Sequence, residues 1–182
     1  MKKIVIYGLA GSGKSTSAGL VQKFFEQKKL DVTVIKLAQP LYELQEQFYK
    51  KAGIEISFYN QDQILLESIA SHLRRISSSS LVDNFKARIK RTKADVIIND
   101  DLRDPHVDYP VLKEEGFIFI RIKCKENFRR ERLKQRGDKS TVINSKSTAE
   151  IDLIKPDYVV NNDTMNIDDL RKKIFSILEG IE

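Results

Sequence analysis

The chain has little of what staples or metallates a small protein. Cys124 is its one cysteine, so it can form no internal disulfide and no Cys-based metal cage, the pattern expected in a reducing cytoplasm. Beside an apolar strand, that thiol reads as packing. The two histidines, His72 and His106, lie far apart without paired carboxylates at ligand spacing, which argues against a zinc site. No apolar run approaches the roughly 20 residues of a membrane span, so no membrane association is expected. Met1-Lys2-Lys3 imitates the basic start of a signal peptide, but the apolar stretch after it is short and runs into a glycine-rich turn. It reads as a first strand, and Asn162-Asp163-Thr164 as a chance glycosylation match in a cytoplasmic protein. Neither an internal repeat nor a linker divides the 182 residues, so residues 1–182 are expected to form one domain.

The hydrophobic content of 41% can bury a core, and the net charge of +6 suits anionic partners, either nucleic acid or phosphorylated small molecules. Short, β-branched, nearly all-apolar runs alternate with helical stretches: Ile4–Tyr7, Val32–Ile35, Val96–Ile98, Phe117–Ile120 and Tyr158–Val160. This is the pattern of an α/β protein with a parallel sheet covered on both faces. Ser15 to about Lys28 carries Ala18, Val21 and Phe25 on one helical face, and the last helix carries Ile167, Leu170, Ile174, Ile177 and Leu178. About sixty residues separate the second and third strands, more than one crossover helix needs. They read as an inserted group of helices over 37–92: one after Pro40, one from Gln61 through Ile76, and one from Leu81, with Ser77-Ser78-Ser79-Ser80 as a loop between the last two. Residues 125–147 are polar and basic and read as a solvated lid following strand four.

Gly8-Leu9-Ala10-Gly11-Ser12-Gly13-Lys14-Ser15 fits G-x-x-x-x-G-K-[ST], with a strand before it and a helix after it. Glycines let successive N–H groups converge on phosphate oxygens at a helix N-terminus. Gly8, Ala10, Gly11, Ser12, Gly13, Lys14, Ser15 and Thr16 are therefore the expected ATP-binding residues. Lys14 would reach the β- and γ-phosphates, and Ser15 would ligate Mg²⁺. The second half of the nucleotide site, a carboxylate, falls at the end of the third strand, where Asp100 and Asp101 are alternatives for the metal or caps of the next helix.

There is no N-K-x-D base-reading motif, and the chain is too short for a two-core helicase motor. Arg129, Arg132 and Arg136 recur at i, i+3, i+7 and form one cationic stripe on a helix. They are candidates for neutralising a transferring phosphoryl group. Arg103 is a candidate clamp for an acceptor phosphate. Arg74, beside Arg75 in the insertion, is a further candidate of that kind. A hydroxyl acceptor wants a carboxylate base, and Lys36-Leu37-Ala38-Gln39-Pro40-Leu41-Tyr42 after strand two contains no Asp. A phosphate acceptor needs only cations, so this stretch favours one.

In order and spacing these motifs resemble the deoxynucleoside monophosphate kinases of large bacteriophages, within the P-loop nucleoside monophosphate kinase group. The residues carrying the likeness are Gly8 to Ser15, Leu37-Ala38-Gln39-Pro40-Leu41, Asp101-Leu102-Arg103, Ser147-Thr148-Ala149-Glu150 and Asp157-Tyr158-Val159-Val160-Asn161-Asn162. Leu65-Leu66-Glu67-Ser68-Ile69 fits that group loosely, and the lid is richer in arginine. The resemblance implies a three-layer P-loop fold with a five-stranded parallel sheet in order 2-3-1-4-5. It implies an acceptor site on Leu37, Ala38, Pro40, Asp101, Arg103 and Glu150, to which the candidate Arg74 is added. The expected activity is MgATP-dependent phosphorylation of a (deoxy)nucleoside monophosphate, with small molecules as partners, nucleic acid disfavoured and a homodimer compatible. The alternatives are a kinase of the dephospho-coenzyme A or phosphomevalonate type, and an ATP-switched nucleic-acid-binding protein.

Overall fold

A computed structural model gives the architecture; it describes residues 1–136 and 149–181. The strands are β1 (Lys2–Tyr7), β2 (Val32–Val34), β3 (Val96–Asn99), β4 (Ile118–Lys123) and β5 (Tyr158–Asn161). The helices are α1 (Lys14–Gln27), α2 (Gln39–Lys51), α3 (Gln63–Ile76), α4 (Ser80–Arg91), α5 (Asp108–Glu114), α6 (Glu126–Arg136) and α7 (Ile167–Ile181), with a short 3₁₀ turn at Ile151–Leu153. The sheet runs β2-β3-β1-β4-β5, and each neighbouring pair is parallel. The expected order therefore stands.

Alternation along the strands builds the three layers. Ile4, Ile6, Val96, Ile98, Ile120 and Ile122 turn to the face covered by α1 and α7, against Val21, Phe25, Ile174 and Leu178. Val5, Tyr7, Ile97 and Phe119 turn to the other face, against Phe85 of α4 and Leu112 of α5. A strand buried on both faces needs apolar residues at odd and even positions alike, which is why these runs do not alternate with polar residues.

Most elements differ from expectation by a residue or two at their edges. Strand β4 begins one residue later than Phe117 and runs on to Lys123; Phe117 itself packs beside Phe85, with ring centroids 5.9 Å apart. The serine run does form the loop between α3 and α4 over 77–79, with Ser80 already opening α4. Of the three helices between β2 and β3, α4 belongs to the sheet layer, while α2 and α3 stand over the carboxyl edge of β2 and β3.

Phe85 is fully buried between the strands and Phe117. Truncating a buried Phe removes its transfer free energy and leaves a cavity. Phe85→Ala is expected to lower unfolding stability by about 3–5 kcal/mol, read from the midpoint of urea denaturation with an unchanged slope.

Candidate active site

The loop between β1 and α1 is hemmed in on its carbonyl side. Gly11 has φ 75°, and a Cβ there would lie 2.6 Å from the carbonyl oxygen of Arg129. At Gly8 a Cβ would meet the Ile122 carbonyl oxygen at 2.3 Å. Only glycine lets the loop pass this close to β4 and α6. The loop carbonyls are each taken by a donor: Arg129 Nε bonds Ala10 O at 2.8 Å, Arg132 Nη1 lies 3.3 Å from both Gly11 O and Ser12 O, and Asn162 Nδ2 bonds Ser12 O at 2.8 Å.

With its carbonyls held outward, the loop presents the N–H groups of the first turn of α1, which have no intrahelical acceptor. Lys14 Nζ folds back onto Leu9 O at 3.1 Å. Ser12 is wholly buried, and its Oγ has no hydrogen-bond partner among the described residues. Ser15 and Thr16 are exposed on the first turn. This donor set of converging N–H groups, one ammonium and hydroxyls fits a polyphosphate.

The arginine stripe is where helical spacing puts it, but its partners are not those the spacing implied. Arg129 is buried, with 4% of its surface exposed, and burial pulls its guanidinium below the usual range. Arg132 also donates to Thr164 O, to Asn162 O at 3.2 Å and to Cys124 Sγ at 3.2 Å. Arg129 thus engages a backbone carbonyl of the phosphate loop, and Arg132 engages those of the loop and of the turn after β5. They brace the loop from behind, whereas the sequence had them facing a transferring phosphoryl group. Arg136 ends α6, and its side chain lies outside the described residues, as do lid residues 137–147 and Ser147-Thr148.

The two aspartates after β3 divide their work. Asp101 accepts from the backbone N–H groups of Leu37 (2.8 Å) and Ala38 (2.9 Å) and from Asn99 Nδ2 (2.6 Å). It thereby pins the chain leaving β2. Burial, and then the neighbouring Asp100, pushes its carboxyl above the ordinary range. Asp100, also buried, forms an ion pair with Lys36 Nζ. Arg88 supports the same strap through Lys36 O at 2.7 Å and Gln39 Oε1 at 2.9 Å.

Beside this strap opens a cavity of about 390 Å³, within the range of small-molecule sites. Of the residues expected to bind an acceptor, Leu37, Ala38, Arg74, Asp101, Arg103 and Glu150 all line it. Pro40 does not; it lies in the first turn of α2, where a fixed φ starts a helix. Arg74 crosses from α3 to the core. Its Nη2 lies 2.5 Å from Asp108, and its Nη1 lies 3.3 Å from Asp104. Glu150 bonds His106 Nε2 at 2.8 Å. Asp104, His106, Asp108, Gln61, Gln63, Glu67 and Tyr42, none of them expected at the site, also line it. The run Asp104-Pro105-His106-Val107-Asp108 directly after Asp101-Leu102-Arg103 was the available signal, a polar cluster in a loop at the carboxyl edge of the sheet. Among the described residues no three His, Cys, Asp or Glu form a cluster able to hold a metal by themselves.

Fold and loop together define a P-loop nucleotide-binding protein. The sequence matches the family described as "AAA domain" over residues 4–152, and the chain belongs to that family. No curated protein matches it significantly. Similar solved structures include TT1252 from Thermus thermophilus (16% identity, TM-score 0.57, 100% of this chain and 98% of that one). They also include shikimate kinase from Acinetobacter baumannii in complex with shikimate (11%, TM-score 0.56, 100% and 95%) and a gluconokinase from Sinorhizobium meliloti (15%, TM-score 0.51, 99% and 93%). At these identities the likeness is one of fold. No helix among the described residues is long and apolar enough to cross a membrane.

Burial outweighs the Arg74 pair at Asp108 and pushes its carboxyl up to about 6. A carboxyl whose folded value is raised supports the fold below its unfolded value of about 4 and loses that support as pH rises through 6. The stability of the protein relative to Asp108→Asn is expected to fall by up to about 3 kcal/mol between pH 4 and 6.5. Thermal or urea melts across that window read the difference.

Proposed function

We infer that this chain is an ATP-dependent kinase whose acceptor is a nucleoside monophosphate, foremost a deoxynucleotide. The observation that carries this is the pairing of two sites on one sheet edge. The phosphate loop follows β1, and the cavity is walled by residues following β2 and β3, strands about 5 Å apart at each step. A hydrolase or switch needs the first site alone; a phosphotransferase needs both. The kinase fold of similar structures supports the same class.

The acceptor reading rests on charge. The position after β2, where a hydroxyl-directed kinase wants a carboxylate base, holds Lys36, ion-paired with Asp100. Asp101 lines the cavity, but three N–H donors already take most of its acceptor positions. A phosphate oxygen needs no base, only cations to offset repulsion. Tyr42, Leu37, Leu41 and Leu66 supply an apolar shelf in the cavity that fits a planar ring.

In this reading Gly8 through Thr16 bind the ATP phosphates, Lys14 holds the β- and γ-phosphoryl oxygens, and Arg103 grips the acceptor phosphate. Ser15 with Asp100 fits Mg²⁺, which supplies charge neutralisation when bound. Asp101 holds Leu37 and Ala38 in the acceptor wall. Arg129 and Arg132 keep the loop N–H groups aimed inward, and Arg136 is left as the stripe residue for the transferring group. Transfer then follows from in-line positioning and preorganised charge, with no covalent intermediate.

ADP release from MgATP is expected with one or a few deoxynucleoside monophosphates and not with shikimate, gluconate or dephospho-coenzyme A. Lys14→Ala is expected to lower kcat/KM on the order of 10³-fold while melting within a few degrees of the unaltered protein. Turnover confined to the hydroxyl acceptors, or indifferent to every acceptor, would overturn the reading.

A further inference from the structure

The backbone around Lys36 is held on every side. Ile35 donates to Ile98 O at 2.9 Å, and its own carbonyl accepts from Asn99 Nδ2 at 3.0 Å. The Lys36 carbonyl accepts from Arg88 Nη2 at 2.7 Å. The N–H groups of Leu37 and Ala38 both go to Asp101. The chain here has already left β2, yet it is fixed to β3, to the aspartate beyond it and to α4.

From this anchor the lysine side chain reaches along the sheet edge. Its ammonium forms an ion pair with Asp100 at the end of β3, the strand that lies between β2 and β1. It therefore stands one strand spacing, about 5 Å, from the strand that leads into the phosphate loop. On its other side Leu37 and Ala38 line the acceptor cavity. The lysine side chain is 21% exposed and that of Asp100 2%. An ammonium carries three N–H donors, and among the described residues Asp100 is the partner of that ammonium and no other is found. A buried ion pair contributes little stability by itself, so pairing Asp100 does not account for so firmly held a lysine. Its remaining donors face the crevice between the two sites.

We propose that Lys36 is a catalytic residue whose ammonium contacts the phosphoryl group in transit. This rests on the nucleoside monophosphate kinase reading above. In the step, an oxygen of the monophosphate forms a bond to the γ-phosphorus of ATP. The bond from that phosphorus to the β–γ bridging oxygen breaks, and ADP leaves with its electron pair. The attacking oxygen is already anionic, so no base takes a proton. The step needs positive charge between two approaching anions, and charge fixed before the reaction is the effective kind. Lys14 serves the donor and Arg103 the acceptor, while Lys36 serves the boundary between them.

Two variants test this. Lys36→Gln keeps a donor for Asp100 and removes the charge; Lys36→Met removes both. With MgATP and the monophosphate turned over fastest by the unaltered protein, both variants are expected to lose about 10²-fold in kcat. The KM of each substrate should stay within about threefold, the mark of an interaction made in the transition state. A second readout is calorimetric binding of the monophosphate to protein holding ADP with aluminium fluoride, a stand-in for the phosphoryl group in transit. Lys36→Gln should weaken that binding about 10²-fold and leave the affinity for ADP alone unchanged. A kcat lost in Lys36→Met but kept in Lys36→Gln would overturn the proposal and leave Lys36 as a partner of Asp100, with the kinase reading intact. Equal weakening of ADP binding and of the aluminium fluoride complex would overturn it in the same way. Turnover of no monophosphate by the unaltered protein would overturn both.

Discussion

The site depends on carbonyls being held outward. A loop can turn successive N–H groups toward a phosphate only if its carbonyl oxygens find donors on the other side, since a buried unpaired carbonyl costs as much as a lost hydrogen bond. Here Ala10, Gly11 and Ser12 all find such donors, from Arg129, Arg132 and Asn162. The glycines that permit close approach and the arginines that reward it form one device. Gly11 leaves no room for a Cβ because Arg129 must come near enough to bond Ala10. The first turn of α6 and the end of β5 are thus tied to nucleotide chemistry without touching a nucleotide.

The acceptor side is organised by a comparable exchange. The chain leaving β2 has two N–H groups with no strand to bond, and Asp101 takes both. Lys36 then meets Asp100, and Arg88 from α4 caps the strap's own carbonyl at Lys36. The cavity wall is therefore built from backbone held by buried charge, and buried charges of this kind are destabilising to break singly because each leaves a partner unpaired.

Much of this was legible in the residues. The phosphate loop could be read because its chemistry is local: eight consecutive positions between a strand and a helix. The strand order followed from family likeness, and six of the seven expected acceptor residues do line one cavity. Arg129 and Arg132 were correctly read as sharing a face, since that is a matter of periodicity. Their partners were not legible, because which surface a helix meets depends on contacts 119 to 121 residues away. The same limit hid the Arg74–Asp108 pair, separated by 34 residues. Pro40 lies off that cavity and starts α2.

The net charge of +6 argued for anionic ligands, yet the described lining of the acceptor cavity carries an excess of carboxylates. The two facts are compatible once position is separated from sum. Basic residues gather in the last turns of α2, α3 and α4, as Lys50, Lys51, Arg74, Arg75, Arg88, Lys90 and Arg91, where they answer the partial negative charge of helix carboxyl ends. Most are a property of helix termini and surface, and they raise the concentration of any anion around the protein. Orientation within the site is decided by a few charges at fixed positions.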